Sequence, residues 1–423
     1  MYWLVQGFII IPNNSVTWYL SFSALTCALN LVVEAFVKVL MVVESHAKQA
    51  GGGPMYWAQL SKGLIQRGHE VVILSGTPKN GEFASPNTVG LLPVRLNLRS
   101  RSLSTLLSRY VFRRRFVPGV RAFAREWRPN VIHTVPPIAS EAALRAGSEL
   151  GVPVIASVLS HVEEQWTHLE PRPGRSRLFR YLESRGYRRP FSRIICLTRR
   201  SEEILVGEGV PVERIVYVPH AVDVTRFHSK VEARFRHQLK LSVDAFVVGY
   251  AGALTQDKGF DQLLEAMTQL KSVKHLHLLV AGGALSQHKW EEFVKEAGLS
   301  HVHFLGQLDH QNMPGFMASL DLYVIPSFAE TLPTTLLEAL AAGTPVLATG
   351  VGGVTEFLQS QWGITLESPE VDCITQALDE WQARRSELEQ MGKFGQQYVR
   401  DHHNWERTSE LTEGVYQACL ENQ

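Results

Sequence analysis

The stretch AFVVGYAG, residues 245–252, shows how this chain is built. A continuous apolar run ends in glycine, and helical spacing of apolar residues follows from Phe260 to Leu270. The alternation continues with LHLLVAGG at 276–283, VHFLG at 302–306, LDLYVIPS at 320–327, a helix over Leu336 to Ala342, and PVLATG at 345–350. Strands joined by long helical connections run parallel, because a tight turn would return the chain antiparallel. Unbroken apolar runs mark strands covered on both faces. The class is therefore α/β, a parallel sheet wrapped by helices.

Working towards the N-terminus, the same alternation runs through VKVLMVV at 37–43, a helix at Met55 to Arg67, HEVVILS at 69–75, NVIHTV at 130–135, a helix at Ser140 to Leu150, VPVIASVL at 152–159, RIICLT at 193–198 and RIVYVPHAVD at 214–223. A polar segment without strand period separates Asp223 from Ala245, and the end of the chain is helical and rich in charge. The expected organisation is two Rossmann-like, doubly wound domains, 37–223 and 245–400, joined by a linker at 224–244. A hydrophobic extension at 1–36 precedes them, and a helix at 401–423 returns to the first domain. Such domains set the carboxyl ends of two sheets across a central cleft, where ligands bind.

Composition narrows the function. With 423 residues, 45% hydrophobic and 20% charged, the chain is neither disordered nor a polytopic membrane protein. Cys27, Cys196, Cys373 and Cys419 are too scattered for a zinc cluster or a small disulfide framework. The net charge of +1 conceals an asymmetry: residues 1–200 carry 26 Lys and Arg against 11 Asp and Glu, and the rest carry 16 against 30. Ten arginines lie between Arg95 and Arg128 and ten between Arg172 and Arg200. A solvated helical face would account for them, but so one-signed a surface also attracts anions. No nucleic-acid motif accompanies the arginines, so peripheral contact with an anionic membrane is expected and nucleic acid is not.

Residues 1–33 carry no charged side chain. A membrane span, a docked helix, and translated sequence upstream of a start at Val37 are the three readings of this extension. The lack of Lys or Arg before Lys38 removes the basic region of a signal peptide, so the expected location is cytoplasmic, on the inner face of the membrane.

Chemistry concentrates in PSFAETLPTTLLEALAAGTPVL, residues 326–347. Pro333 suits a first helical turn, whose free N–H groups form an anion site. Glu330 precedes that turn and Glu338 lies eight residues later, so both carboxylates can serve one ligand with hydroxyls on either side of a diphosphate, the layout of a nucleotide sugar. The competing role for Glu338 is a capping box with Thr335.

These residues resemble the GT-B glycosyltransferases, specifically glycosyltransferase family 4, whose signature is E-x7-E followed by an alanine-rich helix and G-x-P-V. The resemblance runs from Val37 to about residue 400. It implies that Glu338 holds the ribose and that Glu330 contacts the transferred sugar. Thr331, Leu332 and Gly306 would belong to the donor site. GALTQDKG, from Gly252 to Gly259, is similar to the family's diphosphate motif, with Lys258 as its cation; the customary arginine is Ala253 here. Lys258 and Glu330 are thus the implied catalytic pair. Gly51, Gly52 and Gly53 match the family's first loop, which approaches phosphate or acceptor. His133 and His161 are acceptor-side candidates: His133 aligns with the family's strand-end histidine, with an ordinary hydrogen-bonded histidine as the alternative, and His161 is a displaced equivalent, because the family's other histidine position falls at Leu159. The glycines customary after the first glutamate are missing, which leaves the sugar open.

No Asp-x-Asp, dinucleotide fingerprint, Walker lysine or G-x-S-x-G occurs. The expectation is no metal and no cofactor, with a nucleoside-diphosphate sugar as co-substrate and leaving-group charge met by Lys258 and helix N–H groups. The resemblance implies a retaining transferase acting on a glycan or lipid-linked acceptor in cell-surface polysaccharide or glycolipid synthesis. A nucleotide-sugar epimerase and a catalytically silent nucleotide-sugar binding protein are the alternatives.

Overall fold

The computed structural model describes residues 36–43, 52–76, 88–90, 116–136, 139–161, 181–228, 230–283 and 287–422, together with Arg114 and three short strands nearer the N-terminus. Those strands, β1 (Leu4–Val5), β2 (Phe8–Ile11) and β3 (Trp18–Ser21), form a small antiparallel sheet, so this described part of the extension is strand and not helix. Among the described residues no helix is long and apolar enough to cross a membrane. Most of Arg95 to Arg128, and Arg172 to Arg180, lie outside the described residues.

The first large sheet contains β4 (Lys38–Val43), β5 (Glu70–Ser75), β6 (Thr88–Gly90), β7 (Val131–Thr134), β8 (Val154–Val158), β9 (Arg193–Cys196) and β10 (Ile215–Tyr217). All its pairings are parallel, in the order β10-β9-β8-β7-β4-β5-β6. The second contains β11 (Phe246–Ala251), β12 (Leu276–Ala281), β13 (Val302–Gly306), β14 (Leu322–Ile325), β15 (Val346–Thr349) and β16 (Gly363–Leu366), also all parallel, in the order β13-β12-β11-β14-β15-β16. Each sheet is doubly wound: the chain proceeds outward from β4 or β11, then returns to the other side of that strand. The switch points, β4/β7 and β11/β14, are where crevices open at strand carboxyl ends.

The unbroken apolar runs are explained by two-sided cover. Along β4, Leu40 and Val42 enter one hydrophobic cluster while Val39, Met41 and Val43 enter the cluster on the opposite face. Successive side chains alternate faces, so both must be apolar, and each buried aliphatic contributes roughly 1.5–3 kcal/mol.

Two findings refine the expected organisation. Residues 224–244 are more than a linker: Phe227 and Phe235 are buried in the second domain, and the short helix Arg234–Gln238 sets Phe235 edge-on to Phe316. The last helix, Trp405–Glu421, packs against Gly52–Gln66 of the first domain. Val415, Tyr416 and Cys419 enter the first domain's core, and Glu413 pairs with Arg67 at 2.5 Å. The approach requires glycine at Gly63, where a Cβ would stand 2.0 Å from Ser409 Oγ. Where the chain crosses between domains its two passes are bonded side by side: Val222 N donates to His403 O and His403 Nδ1 donates to His220 O, both at 2.9 Å.

Candidate active site

A cavity of about 340 Å³ lies between the domains. The first domain contributes Gly53, Tyr56, Leu159, Ser160, Thr198 and His220 among its walls; Glu330, Thr331, Leu332 and Thr334 form the wall from the second.

The second-domain wall is the segment after β14, held in place by the loop leaving β11. Gly259 has φ +65°, and a Cβ there would come 1.7 Å from Pro326 O, so only glycine lets the turn bearing Lys258 lie against the loop after β14. Phe328 N donates to Asp257 O at 2.9 Å and locks the two loops together. Lys258 Nζ then reaches Glu330 Oε1 at 2.8 Å, and Ser327 Oγ donates to the same oxygen at 2.8 Å. The resemblance implies Lys258 on the diphosphate and Glu330 on the sugar; in the structure the two form one partly buried ion pair.

Behind this pair the helix Thr334–Ala342 begins at Pro333, with no side chain capping its N-terminus. The capping box of Thr335 and Glu338 is not formed, which corrects the competing reading. Glu338 is 3% exposed, and its Oε1 lies 3.1 Å from His310 Nε2. His310 Nδ1 in turn lies 2.6 Å from Arg226 Nη1, and Arg226 Nη2 donates to His310 O at 2.9 Å. A guanidinium can only donate, so His310 Nδ1 accepts and its Nε2–H is directed at the Glu338 carboxylate. The result is a fixed line of Arg226, His310 and Glu338. Glu338 stands behind the cavity wall and not on it.

Gly252 follows β11 and Gly306 ends β13, and the two approach each other through Gly282, whose N–H donates to Gly306 O at 2.9 Å. A Cβ on Gly282 would meet Gly252 O at 1.9 Å. These glycines make a backbone surface at the strand ends, separate from the residues lining the interdomain cavity. In the first domain Gly53 lines the cavity, Gly52 opens the helix Gly52–Gln66, and Gly51 lies outside the described residues.

Both acceptor-side histidines need correction. His133 is fully buried, bonded through Nδ1 to Tyr416 OH at 2.7 Å and through Nε2 to Ser157 Oγ at 2.8 Å, and burial lowers its pKa to about 3. His161 is equally enclosed, with Ser201 Oγ at 2.6 Å and Tyr187 OH at 3.1 Å; burial, helped by Arg200, lowers its pKa to about 4. Both nitrogens of each ring are used inside the protein, so neither is available to a ligand. The cavity wall at that point is Leu159.

Three residues went unnoticed in the sequence. Arg226 and His310 lie 84 positions apart, and nothing local joins them to Glu338. His220 is on the cavity wall; its one sequence signal was a polar ring in an otherwise apolar strand end, VPHAVD.

Residues 231–398 match the family model described as glycosyl transferases group 1, and residues 51–221 match the glycosyl transferase 4-like domain. The chain is 23% identical over 420 residues to glycogen synthase from Mycobacterium tuberculosis, covering 90% of this chain and 95% of that protein. Among solved structures, sucrose-phosphate synthase from Thermosynechococcus elongatus superposes with a TM-score of 0.76 at 22% identity, over 91% of this chain and 99% of that one. Anabaena HepE, solved with UDP-glucose, superposes with a TM-score of 0.70 at 18% identity, over 92% of this chain and 100% of that one. With both domains matched in order and the paired doubly wound sheets in place, this chain is a GT-B glycosyltransferase and belongs to the group 1, family 4-like glycosyltransferases.

Proposed function

We propose that the chain is a retaining, metal-independent transferase that moves a sugar from a nucleoside diphosphate to a glycan or lipid-linked acceptor in cell-surface polysaccharide or glycolipid synthesis. The observation that carries this reading is the juxtaposition of the Lys258–Glu330 pair, the uncapped helix start at Thr334 and the interdomain cavity. Anabaena HepE, of the same fold, was solved with UDP-glucose, which supports a nucleotide-sugar donor. In this mechanism donor binding draws Lys258 towards the diphosphate, where it and the helix N–H groups stabilise charge as the glycosidic bond breaks. Glu330, relieved of its cation, accepts from sugar hydroxyls, and the closed cleft keeps water from competing with the acceptor. Retention has the acceptor attack on the face from which the diphosphate leaves.

Purified protein is incubated with a panel of nucleoside-diphosphate sugars and membrane extract while released nucleoside diphosphate is followed. Acceptor-dependent release that persists in EDTA, with product of the donor's anomeric configuration, is expected; inversion, or loss of turnover in EDTA, refutes the corresponding part. The arginine excess supports peripheral membrane contact, each cation near an anionic surface being worth about 1 kcal/mol. Protein beginning at Val37 is expected to sediment with anionic liposomes at low salt and to release as salt rises. If it stays in the supernatant, the basic face is merely solvated.

A further inference from the structure

Taking the interdomain cavity as the site of sugar transfer, as proposed above, we infer that His220 is a substrate-contacting residue whose Nε2 accepts a hydrogen bond from a sugar hydroxyl. His220 is on the cavity wall, on the pass between the domains, and only 6% exposed. Its Nδ1 lies 2.9 Å from the carbonyl oxygen of Ala221. A carbonyl only accepts, so Nδ1 carries the proton and Nε2 presents a lone pair. Nε2 has no hydrogen-bond partner among the described residues. The ring is held edge-on between Tyr56 and Trp405, with centroids 5.8 and 5.9 Å away, and the backbone oxygen is tied to His403 Nδ1. Burial lowers the imidazole pKa to about 4, so the acceptor form prevails at neutral pH.

The remaining walls define the ligand. Among the described residues no lysine or arginine lines the cavity, and the one carboxylate on it, Glu330, bonded to Lys258 and Ser327, is a second acceptor on the wall from the second domain. Val135, Val158, Leu159, Leu197 and Leu332 supply apolar wall, and the hydroxyl-bearing residues Ser160, Thr331 and Thr334 stand between them. Away from the helix start at Thr334, these two acceptors suit a neutral polyhydroxyl ring, whose O–H groups donate and whose C–H faces pack on the aliphatic side chains. That ring belongs either to the donor or to the acceptor.

Two substitutions in the full-length protein separate the functions of the two ring nitrogens. Asparagine retains an N–H near the place of Nδ1 and leaves the place of Nε2 empty; glutamine carries an oxygen near the place of Nε2. Affinities of wild type, His220→Asn and His220→Gln are measured by calorimetry for UDP, GDP and ADP and for UDP-glucose, GDP-mannose and ADP-glucose. If the hydroxyl is the donor's, His220→Asn weakens the nucleotide sugar about tenfold while the bare nucleotide is unchanged, and His220→Gln recovers most of the loss. If it is the acceptor's, all these affinities hold and the membrane extract needed for half-maximal turnover rises about tenfold in His220→Asn alone. A measurement independent of variant folding is the nitrogen NMR resonance of His220 Nε2 in wild-type protein, which is expected to shift on replacing nucleotide by nucleotide sugar or on adding extract. Unchanged behaviour of both variants and of that resonance overturns the inference, as does equal weakening of nucleotide and nucleotide sugar, which would make His220 a positioning residue of the crossing. Wild-type protein that binds none of the nucleotides overturns the underlying reading of the site instead.

Discussion

Glu338 offers the sharpest test, because its carboxylate is buried and its hydrogen bond to His310 comes from 28 residues away in sequence. Replacing His310 by alanine removes the Nε2–H donor from a group that is 3% exposed and withdraws a ring that packs edge-on to Phe227 at 6.0 Å. A hydrogen bond to a charged group contributes about 1.5–3 kcal/mol, so His310→Ala is expected to destabilise the second domain by about 2 kcal/mol or more. In a domain of this size that lowers the melting temperature by about 4–8 °C. Glu338→Gln keeps the shape and removes the charge. The two singles and the double, measured by denaturant unfolding, form a cycle whose coupling isolates the pair; about 1.5 kcal/mol is expected. Nucleotide affinity is measured on the same proteins and on Glu338→Ala. If Glu338 also holds the ribose, Glu338→Ala weakens binding by about 1.5–3 kcal/mol. A coupling below about 0.5 kcal/mol shows the sites to be independent and refutes the line of Arg226, His310 and Glu338. Normal coupling with unchanged nucleotide affinity leaves Glu338 a structural acceptor and removes it from the donor site.

Lys258→Met is expected to lower kcat about a hundredfold or more, since the cation acts as charge develops on the leaving group; steady-state turnover near wild type would exclude it from the chemistry. Gly353→Ala would place a Cβ 2.0 Å from Thr331 O and 3.0 Å from Thr198 Cγ2, so it should push the Glu330 loop from the first domain and cut donor affinity, while an unaltered calorimetric titration would show the loop yielding freely. Acid should destabilise the protein through its enclosed histidines: burial lowers the pKa of His133 to about 3 and is the main cause that lowers those of His161, His220 and His403 to about 4. Between there and the ordinary value near 6.5 the unfolded chain binds protons that the fold refuses, so stability is complete above that range and is lost on acidification, each histidine contributing up to about 1.4 kcal/mol per pH unit. His133→Gln should make that fall shallower in urea titrations at stepped pH, and an identical slope would show that His133 is protonated in the folded protein.

The two doubly wound domains were legible because their determinants are local and periodic. Unbroken apolar runs, crossover lengths and glycine at strand ends report two-sided burial wherever they occur, and Glu330, Pro333 and Glu338 lie close enough in sequence for one helix start to order them. The same locality explains the failures. His133 and His161 carry the right chemistry at strand ends, but whether a strand-end histidine meets a ligand or a hydroxyl of its own protein depends on Tyr416 and Ser157, or on Ser201 and Tyr187. Residues 224–244 read as a linker because their burial comes from Phe316, a neighbour that no strand period announces. Sequence spacing determined the strands, the helix start and the carboxylates upon it. Which cation meets which carboxylate, which imidazole faces the cleft and which is sealed behind it were decided only by the tertiary structure, since hydrogen bonding and desolvation depend on neighbours that the chain brings together from far apart.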